Sequence, residues 1–250
     1  MEQQLTCAMD IGEQMLISGA EVHRVEESLQ RICKAFGATR TDVFIITSSM
    51  VVTIFDEENR PYTQTRRITG STIDIEKIHR LNDLSRRICA QKMTLEQVRA
   101  ALNEALCHKT YPFWVELLCY AGIAGAFTLF FGGSLTEAIV SLAAGAIVRC
   151  GIWLCDRALT NKILSKFLSA VVATFLAYLS VRLGWVGSVD KIIIGNIMTL
   201  IPGIGLTNAL RDLFTGDSIA GLLRTIEAVL IALAIAAGYF LVAFLGGLLL

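Results

Sequence analysis

Residues suited to holding a small anion follow a break in an apolar stretch of the chain. Only eleven residues run from Lys191 to the residue before Pro202, too few for a helix that crosses a membrane alone. Pro202 cannot donate a backbone hydrogen bond, and Gly203 and Gly205 let the backbone unwind. The pattern predicts an interrupted helix whose free backbone groups must be covered by protein or line a water-filled cavity.

The segment after the break has the chemistry of a substrate site. If a second half-helix begins near Leu206, its free N–H groups and positive dipole end could hold a carboxylate, with Thr207 and Asn208 beside it as hydrogen-bonding side chains. An anionic or zwitterionic small solute fits this arrangement. The alternative is a simple proline kink in a packing helix.

Ionisable residues inside apolar segments form a second group of candidates. Glu227 and Arg224 are three residues apart, on one face of a predicted helix, and Arg149 lies late in another apolar segment. Because buried ionisable groups are costly in a membrane, they indicate substrate contacts or a proton relay. A static ion pair, or snorkelling of the arginines to the interface, is the alternative.

A polar cluster near the N-terminus consists of Glu21, His23, Arg24 and Glu26. A hydrolase would need a nucleophile such as Ser18 beside a base, and the chain has no G-x-S-x-G motif. We interpret the cluster as a solvated helix face. The histidines and cysteines lack metal-ligand spacing, so we expect neither a metal site nor a cofactor. We expect the cysteines to be free thiols.

The composition indicates a membrane protein. Of 250 residues, 54% are hydrophobic and 18% charged, against roughly a quarter charged in soluble domains. The net charge of zero argues against nucleic-acid binding. No secretory signal precedes the first helix, so we expect a cytoplasmic N-terminus.

The charged residues are concentrated in the first part of the chain, and we predict a small α+β domain at residues 1–110. Its order is helix, two or three short strands, helix, helix. Ser18 and Glu21 resemble a capping box at the start or restart of a helix, which Gly37 could end, and Thr94 could cap the last helix.

Residues 111–250 predict a mainly α, five-helix transmembrane bundle with an interrupted fourth helix. We expect a multi-pass protein of the plasma (inner) membrane. Its basic loops predict that the N-terminus is cytoplasmic and that the C-terminus, at Leu250, is outside. The predicted spans are 113–131, 135–154, 164–183, 191–214 and 219–245.

Two motifs carry a family resemblance. The first runs from Ser18 to Glu26, and the second has the pattern P-G-x-x-x-x-N-x-x-x-D-x-x-x-G from Pro202 to Gly216. Together they resemble the threonine/serine exporter family, specifically its larger N-terminal-type component. The match carries over Pro202, Gly203, Asn208 and Asp212 from the distal motif and Glu21 from the first.

That resemblance implies export of threonine and serine driven by the proton motive force, and a related branch is associated with succinate. It also implies a small integral-membrane partner subunit, because this chain ends after its fifth predicted span, and a homo-oligomer is possible. The leading hypothesis is therefore a transporter subunit and not an enzyme. The alternatives are a membrane-anchored hydrolase and a regulatory or assembly subunit that carries no substrate.

Overall fold

The computed structural model describes residues 1–91, 93–107, 111–158 and 161–249, with side chains to 246. The chain divides into two compact units. The first comprises Met1–Lys109 with Gly203–Ile226, and the second comprises Thr110–Pro202 with Glu227–Leu250. The predicted position of Leu250 lies outside the described residues.

The first unit begins with two helices, α1 (Glu2–Ile17) and α2 (Val22–Ala35), and continues with strands β1 (Arg40–Ile46), β2 (Ser49–Phe55) and β3 (Pro61–Arg67). The strands form an antiparallel sheet in the order β1-β2-β3. Helices α3 (Ile75–Ala90) and α4 (Leu95–Leu106) follow. This confirms the small sheet among helices, but helix α1 was not predicted.

Helix α1 was missed because its apolar residues do not form a single stripe. Cys7, Ala8, Met9, Ile11 and Met15 are all buried, so α1 is covered on several sides by the rest of the unit. Such a helix gives a weak amphipathic signal even when it lies at the centre of a core.

The predicted capping box at Ser18 is wrong. Ser18 is the C-terminal cap residue of α1, and its hydroxyl donates to the carbonyl of Gln14 at 2.7 Å. Glu21 occupies the N-cap position of α2 without a side-chain capping bond. The error follows from reading one helix where the chain has two.

The predicted helix ends at Gly37 and Thr94 are confirmed. At the end of α2 the amide of Ala38 donates to the carbonyl of Cys33 at 3.0 Å, with Gly37 at φ +93° between them. The capping box of α4 has the Thr94 hydroxyl accepting from the Gln97 amide, and the Gln97 side chain accepting from the Thr94 amide.

The helices that follow are predominantly apolar. They are α5 (Phe113–Phe130), α6 (Leu135–Ala158), α7 (Lys162–Arg182), α8 (Asp190–Ile197), α9 (Gly203–Thr215) and α10 (Ser218–Leu249). Within the described residues, four of them are long and apolar enough to cross a membrane: α5, α6, α7 and α10.

The predicted fourth span, residues 191–214, is two short helices in the structure. Helix α8 has 8 residues and α9 has 13, and α9 belongs to the first compact unit. Turn bonds from the amides of Thr199 and Leu200 to carbonyls three residues earlier close α8, and the chain then reaches Pro202. The break is therefore where the sequence predicts it, and the predicted five-helix bundle is not confirmed, because four of the described helices qualify as candidate spans.

The turn between β2 and β3 depends on one carboxylate. Asp56 is 5% exposed and accepts from the amides of Glu58 and Arg60, from the Arg60 guanidinium and from the Tyr62 hydroxyl. Burial raises the pKa of Asp56, but these hydrogen bonds outweigh it and hold the pKa below its usual value.

We predict that Asp56→Asn lowers the thermal stability of the protein at pH 7. A carboxyl with a depressed pKa stabilises the fold above its unfolded-state pKa, about 3.9, and this contribution is lost as the pH falls through the folded-state value. Thermal unfolding between pH 7 and pH 3 should therefore show the gap between the wild type and Asp56→Asn narrowing below about pH 4. Asp42→Asn, on the exposed side of β1, is the control, and an equal loss in both variants contradicts the prediction.

Candidate functional site

Asp212 of helix α9 is the most completely buried acidic residue of the first unit. Its side chain is 0% exposed, and one carboxylate oxygen accepts from the backbone amide of Val22 at 3.2 Å. The other accepts from the guanidinium of Arg224 at 2.9 Å. Because α2 has no side-chain cap of its own, Asp212 supplies the negative group that the positive end of this helix favours.

The turn before α2 is held by two further side chains. Arg224 donates to the carbonyl of Ala20 at 3.0 Å, and the amide of Asn208 donates to the carbonyl of Gly19 at 3.2 Å. Gly19 has φ +91°, and a Cβ there would lie 2.7 Å from the carbonyl oxygen of Thr72. Only glycine fits this backbone, so the turn presents its carbonyls in a fixed arrangement.

An ion pair completes the contacts. Arg211 binds the carboxylate of Glu21, and the Arg211 side chain is 57% exposed while that of Glu21 is 16% exposed. We call the whole set the motif junction. It joins Gly19, Ala20, Glu21 and Val22 to Asn208, Arg211, Asp212 and Arg224.

The turn between α9 and α10 positions Arg224 against Asp212. A Cβ at Gly221 would lie 2.8 Å from the amide nitrogen of Leu213 and 2.9 Å from the carbonyl oxygen of Ala209. The absence of a side chain therefore lets the first turn of α10 pack directly on α9. This places the Arg224 guanidinium within reach of both Asp212 and the Ala20 carbonyl.

Sequence reasoning placed Asn208 and Asp212 in a substrate site, and in the structure both bind groups of the first motif. Arg211 was missed, although a signal was available. It is a basic residue next to Asp212 of the second motif, and Glu21 of the first motif is an acidic residue that could pair with it. Arg224 was named, but its partners are Asp212 and Ala20 and not Glu227.

The other predicted residues of the break lie outside the motif junction. Helix α9 begins at Gly203, three residues before the predicted Leu206, directly after Pro202. Gly203 is exposed, Pro202 and Gly205 are partly buried, and the hydroxyl of Thr207 donates to the Gly203 carbonyl at 3.0 Å. The first turn of α9 remains the open end of this helix.

The remaining charged candidates form no ion pair with one another in the described residues. In the second unit the Arg149 guanidinium binds the carboxylate of Glu116, 5.5 Å from the ring centre of Tyr120. Glu227 is exposed on the surface of α10. Each arginine of the predicted group therefore has an acidic partner other than Glu227.

The N-terminal polar cluster is mostly solvent-exposed. His23 and Arg24 are exposed, and burial together with the Asp217 carboxylate raises the pKa of Glu26. Ser18 is 0% exposed with its hydroxyl bonded to Gln14, so it is not presented as a nucleophile. Within the described ranges, no cluster of histidine, cysteine or acidic side chains is arranged to hold a metal ion.

Sequence reasoning also missed a polar cluster in the second unit. Thr128, Ser141 and Asn196 are each 0% exposed. The hydroxyl of Thr128 donates to that of Ser141 at 2.7 Å, and the amide of Asn196 donates to Ser141 at 2.9 Å. The Oδ1 atom of Asn196 is buried without a hydrogen-bond partner. The only signal was an asparagine in an apolar run just before the break.

Comparisons with known proteins agree on one family. The sequence profile of the family described as "Putative threonine/serine exporter" matches residues 6–246. The chain is 24% identical over 238 residues to the "Probable threonine/serine exporter" of Mycobacterium tuberculosis, covering 94% of this chain and 44% of that protein. It is 23% identical over 241 residues to the "Threonine/serine exporter" of Corynebacterium glutamicum, covering 94% and 49%.

The chain spans about half the length of these two relatives. It is also 23% identical over 235 residues to the "Probable succinate transporter subunit YjjP" of Klebsiella aerogenes, covering 94% of this chain and 90% of that one. No solved structure matches the chain. Because the family profile matches nearly its whole length and two relatives are named as threonine/serine exporters, this chain belongs to the threonine/serine exporter family.

Proposed function

We propose that this chain is one subunit of an exporter of small hydroxy amino acids or related small carboxylates, driven by the proton motive force. The observation that carries the proposal is the motif junction. Through it, the second half of the interrupted segment, α9, is fixed to the start of α2 by three of its own side chains, and Arg224 of α10 adds a fourth contact. The half of the segment that follows the break is therefore held within the same unit as the α+β part.

Each unit holds one group suited to a small substrate, and the two groups are separate candidates. In the second unit, the unpaired Oδ1 of Asn196 is an acceptor suited to the ammonium or hydroxyl group of a small amino acid. The open first turn of α9 is suited to a carboxylate. Either end of a dicarboxylate fits the same turn, so the site chemistry accommodates the substrates named for both kinds of relative.

A partner subunit is the second part of the proposal. Glu227 is exposed on α10, within a candidate membrane span, where lipid would leave a carboxylate unsolvated. Contact with a small membrane subunit, or with a second copy of the chain, would cover it. The word subunit in the name of the Klebsiella relative supports the same arrangement.

For orientation we propose that the α+β part is cytoplasmic, in the inner membrane. Arg157 at the end of α6, Lys162 at the start of α7, and Arg211 with Arg224 on either side of the α9–α10 turn are the basic groups that the cytoplasmic side favours. Trp114, near the start of α5, and Trp153, late in α6, are exposed near span ends, as interfacial aromatic residues are.

The export proposal predicts that reversing the charge at either end of the Glu21–Arg211 pair reduces export. The pair is partly exposed, through Arg211, so it should contribute no more than about 1 kcal/mol to stability, and Glu21→Arg and Arg211→Glu should accumulate normally while threonine or serine efflux from preloaded cells falls. The double variant restores the pair with opposite polarity, and we expect it to recover most of the efflux.

The control reverses an exposed charge pair of the same unit, Arg80 and Glu76 in α3, and should leave efflux unchanged. Equal efflux in the wild type and both single variants would show that the motif junction has no part in transport. If both single variants lose efflux and the double variant does not recover it, the two residues matter but their ion pair does not. That result would contradict the proposal as well.

Proton coupling gives a second prediction, at Glu227. A coupling carboxyl must reach both protonation states, so Glu227→Gln should abolish uphill export under a proton gradient while downhill exchange of the same substrate continues. Glu137→Gln provides the comparison, because Glu137 is held at the start of α6 by the amide and hydroxyl of Ser134 and is not proposed to couple. If Glu227→Gln accumulates normally and still exports uphill, Glu227 is not the coupling residue.

A further inference from the structure

Helices α2 and α3 line a solvent-open cleft of about 360 Å³ in the first unit, outside the motif junction. Its volume is at the lower end of the range of small-molecule sites, roughly 300–1,000 Å³. Both walls have the same residue spacing, at i, i+3, i+4 and i+7, so each helix turns one continuous stripe to the cleft. The cleft is therefore built from regular helix and not from loops.

The α2 wall carries two arginines and one serine hydroxyl group. It presents Arg24, Glu27, Ser28 and Arg31. Arg31 and Glu27 form an ion pair within the helix, with side chains 65% and 48% exposed, so this pair is weakly held and its guanidinium can be shared with a ligand. Within the described part of the chain, Arg24 has no ion-pair partner.

The α3 wall supplies matching groups. Asn82, Ser85, Arg86 and Cys89 line it. Arg86, like Arg24, makes no ion pair with any described residue, whereas its neighbour Arg87 points to Asp83 at 3.9 Å. Ser28 and Ser85 are 9% and 4% exposed, so each wall has one hydroxyl-bearing side chain deep in the cleft.

The charge and the donors select one ligand chemistry. Three arginines and one glutamate give the lining a net charge of +2, close to the opposite of a phosphate monoester, about −1.5 to −2 at pH 7. Guanidinium groups bind phosphate oxygens in pairs, and the two serines and the asparagine add neutral donors. A carboxylate has two oxygens and one charge, fewer than this lining can satisfy.

We propose that the α2–α3 cleft is a binding site for a phosphate group, carried either by a small soluble ligand or by an anionic lipid. Arg24 and Arg86 supply the uncompensated charge, and Arg31, Ser28, Ser85 and Asn82 complete the donor set. The site is separate from the export route proposed above, and its occupation does not depend on that function.

Cys89 provides a direct measurement of occupancy. The full-length protein, in nanodiscs of phosphatidylcholine, is treated with a maleimide, and the modification of each cysteine is followed by mass spectrometry. Cys107 is exposed in the same unit outside the cleft and serves as the internal reference. Inorganic phosphate at about ten times its dissociation constant fills about nine sites in ten, so Cys89 should react about tenfold more slowly while Cys107 is unaffected.

Paired variants test the assignment. The double variant Arg24→Gln/Arg86→Gln should need about a hundredfold more phosphate for the same protection, about tenfold for each arginine. Arg80→Gln/Arg87→Gln removes the same charge from the exposed side of α3 and should behave as the wild type. Buried Cys7 and Cys33 must stay unmodified in every variant, which verifies that the domain is folded.

A second arm identifies the source of the phosphate. Nanodiscs containing phosphatidic acid, without added phosphate, protect Cys89 if the group belongs to a lipid, and only dissolved phosphate protects it if the ligand is soluble. Either result supports the site, provided that the protection requires Arg24 and Arg86. Protection that is equal in both double variants, or no protection of the wild type in either arm, overturns the proposal.

Discussion

The carboxylate of Asp212 is the contact on which the arrangement of the first unit depends. It is completely buried, and it accepts from the first amide of α2 and from a guanidinium that also binds the turn before α2. Breaking a buried ion pair from one side typically costs about 3–5 kcal/mol, because the remaining charge is left without a partner. Residues separated by 190 positions in the sequence are thereby held in fixed contact.

The same interaction explains why α9 belongs with the α+β part although the surrounding sequence is apolar. A helix of 13 residues is too short to cross a bilayer. Its polar side chains also need hydrogen-bond partners that lipid cannot supply. Asn208, Arg211 and Asp212 find that partner in the carbonyls, the carboxylate and the amide of the first motif. The second unit uses a different solution, in which Gly195 lets α8 approach α5 closely and Asn196 binds Ser141 within the packed helices.

Local rules predicted much of the fold. Gly37, Thr94 and Pro202 each act through backbone geometry within a few residues, so their effects on helix ends could be worked out from the sequence. Asn208 and Asp212 were predicted to bind substrate, and their contacts with Gly19 and Val22 were not predicted. The sequence around Asp212 does not indicate that its carboxylate caps a helix near the other end of the chain. Ser18 was misplaced for a related reason: α1 has no single apolar stripe, so the end of one helix was taken for the start of the next.

Hydrogen exchange at the backbone amide of Val22 tests the role of Asp212 most directly. In the full-length protein we expect this amide to exchange slowly, although a first-turn amide without a cap normally exchanges quickly. In Asp212→Asn, which keeps the side-chain shape but removes the charge, the exchange at Val22 should be faster, while that of Ala38 beyond the other end of α2 is unchanged. Equally slow exchange at Val22 in both proteins, or fast exchange in the wild type, would contradict the account.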